Sequence, residues 1–120
     1  MNMVSDVRGE YGGNCDALNG MVICSVVHTD KQLHIRMMMP NTPMLACTTS
    51  EENVGNNVDW AFTPVREQKD FQPVHFKGKI ADNAMSGIIQ DGYQLYPVSL
   101  NKDMITSIAR QLRAFIPGVN

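Results

Sequence analysis

The 120-residue chain has no long apolar stretch: its unbroken apolar runs do not exceed four residues, as at 21–24. A helix crossing a bilayer needs about 20 such residues, so a membrane-spanning helix is excluded. Charge of one sign is also missing. Ten basic and twelve acidic residues leave a net charge of −2 and are dispersed along the chain. Without a lysine/arginine cluster there is no electrostatic footprint for nucleic acid. Aromatic residues make up only 7% of the chain. Zinc-type spacings (C-x-x-C, H-E-x-x-H) and phosphate-cradling glycine loops are absent too, and no cofactor motif is visible. Paired carboxylates occur only at Glu51-Glu52, in a loop composition where solvent keeps both ionised.

The opening MNMVSDVRGE lacks the apolar segment of a secretory signal. Ten asparagines with modest lysine and glutamate lean the reading toward a mature bacterial chain, periplasmic or secreted, over a cytoplasmic one. Cysteines number three. Cys24 and Cys47 both lie in strand-like apolar stretches, and a disulfide between them is the candidate pairing in an oxidising compartment; two buried thiols are the alternative.

What is present is period-two alternation bounded by turn residues. An apolar fraction of 43% over 120 residues suits one domain with one core. Residues 1–20, rich in glycine and polar groups, read as an arm or loop. A β-rich body follows over 21–100. Strands are expected over 21–28, 32–39, 44–49, 58–63, 74–80, 84–90 and 93–100. If Asp30 and Lys31 form a hairpin tip, Cys24 faces Met37, Val26 faces Ile35 and His28 faces Leu33. A one-residue slip would set Arg36 and His34 against that apolar row, so the register is specified. Asp91-Gly92 reads as a type I′ tip, which pairs Ile88 with Leu95 and places both with Phe76 in a second apolar row.

Residues 101–116 carry Met104, Ile105, Ile108, Leu112 and Phe115 at helical spacing, with Asn101 or Ser99 as cap and Pro117-Gly118 as stop. The expected fold is therefore α+β, mainly β. It is an antiparallel meander or small sandwich of about six to seven strands with one C-terminal amphipathic helix.

No motif carries chemistry. Cys15, in GGNCDA, resembles a nucleophile on a glycine turn, but nothing adjacent lowers its pKa. Met37, Met38 and Met39, with Met44, His34, Cys24 and Cys47, are the residue types that select Cu(I). Alternation, however, sends Met38 away from its two neighbours, which favours core filling. Ile23, Val27 and Met38 make an outer face apolar enough to be covered, by the helix or by a partner. His75, Lys77 and Lys79 form a basic stripe, and Tyr96 is the aromatic contact candidate. These residues point to a non-enzymatic protein-interaction module of the accessory, inhibitor or immunity type, binding another protein or a second copy of itself. A Met/Cys/His ligand-binding domain and a small cysteine-dependent enzyme are the alternatives.

Overall fold

Each residue of a strand sends its side chain to the face opposite its neighbours', so one apolar face per strand is enough to build a core if the strands close on themselves. The computed structural model describes residues 7–102 and shows that closure. Eight antiparallel strands follow one another in chain order: β1 (Gly9–Cys15), β2 (Gly20–Thr29), β3 (Gln32–Met38), β4 (Leu45–Ser50), β5 (Gly55–Pro64), β6 (Val74–Ala81), β7 (Ala84–Asp91) and β8 (Gln94–Asn101). They form a closed up-and-down barrel in which β1 returns to β8, with Gly12 opposite Asn101. A 3-10 turn, Asp16–Leu18, joins β1 to β2.

The fold expectation is corrected on three points. There are eight strands, the sheet is closed rather than open or sandwiched, and the described chain is all-β. The added strand is β1, in the segment read as an arm. Its glycines look like turn residues, but Gly13 lies where a Cβ would sit 2.4 Å from the Ser99 carbonyl oxygen, so the closing seam admits no side chain there. At the other end, β8 runs through both proposed helix caps: Ser99 pairs with Ser86 and Asn101 with Ala84. Lys102 N–H then donates to the Asn83 carbonyl at 3.1 Å. Residues 103–116 of the expected helix lie outside the described residues.

Tight turns set the registers. Asp30 and Lys31 have φ of +50° and +66°, and Asp82 and Asn83 have +54° and +65°, the paired left-handed residues of type I′ tips. The β2–β3 register is the predicted one: Cys24 opposite Met37, Val26 opposite Ile35, His28 opposite Leu33. The β7–β8 register is not. Gly92 (φ +61°) takes the first central position of the turn, the pattern of type II′, and Asp91 pairs with Gln94. Gly92 and Tyr93, not Asp91 and Gly92, therefore form the tip. Ile88 faces Pro97 instead of Leu95, and all three point outward.

Inside, Phe76, Ile89 and Tyr96 form the row that Phe76, Ile88 and Leu95 were expected to make. The core draws on every strand, from Tyr11 and Val22 through Ile35, Leu45, Trp60 and Phe76 to Met85 and Leu100. Trp60 and Phe76 meet at a ring-centroid distance of 5.9 Å. Buried polar tips are satisfied: Tyr11 Oη donates to Val7 O at 2.7 Å and Trp60 Nε1 to Asn53 O at 2.9 Å. Gly78 and Gly87 face each other across β6–β7, each so close that a Cβ on one would lie 2.7 Å from the Cα of the other.

Candidate functional site

The barrel interior is an apolar core and not a cup. Among the described residues no polar or charged residue is buried. An eight-stranded barrel is just narrow enough for its own side chains to fill it, and large inward residues such as Trp60, Tyr11, Phe62 and Phe76 do so here. Outward positions on the same strands carry Arg36, Asp59, Lys77 and Lys79. This alternation is the reverse of an outer-membrane barrel, which is apolar outside and polar within. Nor is any helix among the described residues long and apolar enough to cross a membrane. The candidate contact residues therefore lie on the outer surface and at the strand ends.

The sequence-predicted contact residues separate onto different parts of that surface. Ile23 and Met38 are cross-strand neighbours on β2 and β3, and Val27 stands further along the same face opposite His34. Val27 and Met38 are 51% and 50% exposed, whereas Ile23 is half-buried. Arg36 lies between them, opposite Ser25, and its guanidinium reaches the Met44 thioether at 3.8 Å. His75, Lys77 and Lys79 alternate outward along β6 as expected. Tyr96 does not join either group. It points inward and packs against the core.

A second apolar surface, which sequence reasoning assigned to the interior, lies beside the basic stripe. Ile88 is 39% and Leu95 57% exposed, and Pro97 and Tyr93 are exposed as well. Pairing sets these residues in rows across the sheet. Asp59, Lys77, Ile88 and Pro97 form one, and Ala61, His75, Gln90 and Leu95 the next. An apolar strip on β7–β8 is thus flanked by cations on β6. The signal for it was present in β8, where Tyr96, Val98 and Leu100 share one phase and outvote Leu95 as the inward face. In β7 the adjacent Ile88 and Ile89 left the phase undecided.

Asp59 and His75 are paired, Oδ1 to Nδ1 at 3.2 Å, which orients the imidazole along the sheet. A cleft of about 310 Å3 opens at this end of the strip, lined by Gln72, Pro73, His75, Lys77, Gln90 and Gly92. His28 makes a separate pair at the barrel rim, Nε2 to Glu51 Oε2 at 2.7 Å, and Glu51 N–H donates to Lys31 O at 3.0 Å. This pair fastens the β4–β5 loop to the tip of the β2–β3 hairpin.

The cysteines are three buried free thiols, and the proposed Cys24–Cys47 disulfide is corrected. Cys24 pairs with Met37 and Cys47 with Ile35, so β3 runs between the two. Two strand spacings, about 10 Å, exceed the roughly 7 Å Cα separation that a disulfide spans. Burial pushes the Cys24 thiol far above its ordinary range, reinforced by a thiolate at Cys47. Burial also raises Cys47, opposed by the Ala61 backbone N–H and helped by Asp59. Both thiols are therefore held protonated and unreactive.

Cys15 lies at the edge of another cleft, of about 480 Å3, with Asn14, Asp16, Ala17 and Pro97. Its thiol donates to Pro97 O at 3.6 Å, and no histidine lines that cleft. The soft metal ligands are divided by the barrel wall: Met37, Met39, Cys24 and Cys47 inside, His34, Met38 and Met44 on the outer side. No group of three His, Cys, Asp or Glu side chains fit to hold a metal ion occurs among the described residues.

The fold and surface together define a filled, all-antiparallel, eight-stranded barrel with a mixed apolar and basic outer face. Comparison with protein-family models, with curated proteins and with solved structures finds no match for this chain.

Proposed function

We propose that the chain is a non-enzymatic protein-binding barrel of the accessory, inhibitor or immunity type, and that it docks its partner on the outer face of β6–β8. One observation carries this reading: Ile88, Leu95, Pro97 and Tyr93 stand exposed side by side while the interior is filled by the protein's own side chains. Contiguous exposed apolar side chains rimmed by polar ones are the usual mark of a protein contact. A calyx ligand would need polar guides inside the barrel, and among the described residues no polar or charged residue is buried there. The free thiols lend no support to an oxidising compartment, so exported origin forms no part of the proposal.

The test is a pull-down from the parent cell with three forms of the protein. Wild type and a Met38→Asp variant, altered on the opposite side of the barrel, should retain the same captured protein. An Ile88→Asp/Leu95→Asp variant should lose it while keeping the wild-type circular-dichroism spectrum. Equal capture by the β7–β8 variant, or capture of nothing by wild type, would defeat the assignment.

A further inference from the structure

The cleft at the end of the apolar strip has a chemistry of its own, and it narrows the kind of partner the strip can accept. Four polar side chains converge on it from three places. Gln72 comes from the segment before β6, His75 and Lys77 from β6, and Gln90 from β7. Lys77 brings a full positive charge. The two glutamine amides bring N–H donors, of which Gln90 Nε2 already reaches toward Gly92 O at 3.5 Å. Three carboxylates stand around it, and none lines the cleft: Asp59 is engaged with His75 Nδ1, Asp91 sits in the chain between Gln90 and Gly92, and Asp70 precedes Gln72 by two residues. The lining itself thus carries a lysine, a histidine and two amides with no carboxylate among them, and Lys79 follows two residues further along the same outward face.

We infer that this cleft receives a carboxylate, and that the partner of the β6–β8 face is an acidic–apolar protein segment. Its Asp or Glu side chain would meet Lys77, Gln72 and Gln90, and its next apolar side chain would lie on Ile88 and Leu95. The inference rests on the reading of β6–β8 as a docking face. Spacing supports the pairing of the two features. Lys77 and Ile88 are directly opposite in the ladder, as are Gln90 and Leu95, so anion seat and apolar strip lie about one strand spacing apart, close to 5 Å. An extended segment with alternating acidic and apolar residues can span both.

The experiment is an amide NMR titration of the whole protein with three peptides: acetyl-tetraglutamate amide, acetyl-tetralysine amide, and acetyl-Glu-Leu-Glu-Leu amide. Both acidic peptides should shift the signals of Gln72, Lys77 and Gln90 in a saturable way, and tetralysine should not. Lys77→Ala should weaken the response by up to about fivefold, the scale of one exposed ion pair. Lys77 is exposed on the outer face, so the variant keeps the fold, which its own spectrum reports. If Glu-Leu-Glu-Leu shifts only Ile88, Tyr93 and Leu95, the carboxylate seat is wrong and the docking face stands. If neither acidic peptide shifts any of these signals, both are wrong. Shifts at the cleft that Lys77→Ala leaves unchanged also overturn the seat.

Discussion

At the scale of single residues, burial decides the acid–base behaviour of the core. Tyr11 is fully buried, and desolvation, with a smaller contribution from charge at Cys24, pushes its phenol up to about 12 from an ordinary 10.0. Cys24 is raised from 9.0 by the same cause, and Cys47 in the same direction. In each case the folded state holds its proton at a pH where the unfolded chain has released it. Stability is therefore complete below about pH 9, where these groups start to ionise in the unfolded chain, and falls as pH rises toward the folded-state values. Each group contributes a slope of about 1.4 kcal/mol per pH unit within its own window. Urea unfolding at pH 8, 9.5 and 11 should show a steep loss, and Cys24→Ala, though less stable at pH 8, should lose less over the same interval. A flat profile in wild type would show that these groups are solvated. Of the two readings the sequence leaves open for Cys24 and Cys47, the structure has the buried thiols and not the disulfide. Apolar surroundings and the strand over 32–39 are legible, but the pairing of the Cys47 strand with the far side of that strand, which separates the two thiols, is not.

At the scale of elements, the two hairpins show what alternation can and cannot determine. In β2–β3 the inward residues Val22, Cys24, Val26, Leu33, Ile35 and Met37 are apolar and their neighbours more polar, so only one register buries them. In β7 both Ile88 and Ile89 are apolar, and the register passed to the turn. The sequence makes Asp91 and Gly92 the two tip residues, whereas in the structure Gly92 opens the tip, and this moves every pair by two positions. The β2–β3 tip offers a test of turn chemistry. Lys31 holds φ +66°, which costs an L-residue with a Cβ about 1–2 kcal/mol and glycine almost nothing. Lys31 contacts its surroundings there through its backbone carbonyl, which accepts the Glu51 N–H and survives substitution. Lys31→Gly should therefore stabilise the protein by about 0.5–1 kcal/mol, after the entropy that glycine adds to the unfolded chain. Thermal unfolding monitored by Trp60 fluorescence measures it. A destabilised variant would mean that the Lys31 side chain, and not the backbone, holds the hairpin.

At the scale of the whole molecule, closure is the feature that no local pattern announces. Alternation located seven strands close to their observed limits, yet the pairing of β1 with β8 joins segments almost the full described length apart, and the glycines that permit it mimic a loop. A closed barrel has no edge strands, but its seams differ. The β7–β8 ladder joins eight residue pairs and β6–β7 seven, while β4–β5 joins two, Leu45 with Pro64 and Ala46 with Thr63, and β1–β8 one, Gly12 with Asn101. Beyond Ala46 side chains substitute for the missing ladder: Asn53 Nδ2 donates to Asp59 O at 3.1 Å and to Thr49 Oγ1 at 3.2 Å. A bridge of one side chain is easier to break than a ladder, since local opening there disrupts few backbone bonds. The barrel should therefore breathe at its short seams, and β4–β5 is the one that a side-chain substitution can loosen. In native-state hydrogen exchange the amides of Thr48 and Asp59 should exchange at least about 100-fold faster than those of Phe76, Ile89 and Val98, a difference of roughly 2.7 kcal/mol in opening free energy. Asn53→Ala should widen that gap by speeding the seam and leaving β6–β8 unchanged. Equal protection around all eight strands would mean that the barrel opens only by unfolding as a unit, with Asn53 as strong a closure as the ladders themselves.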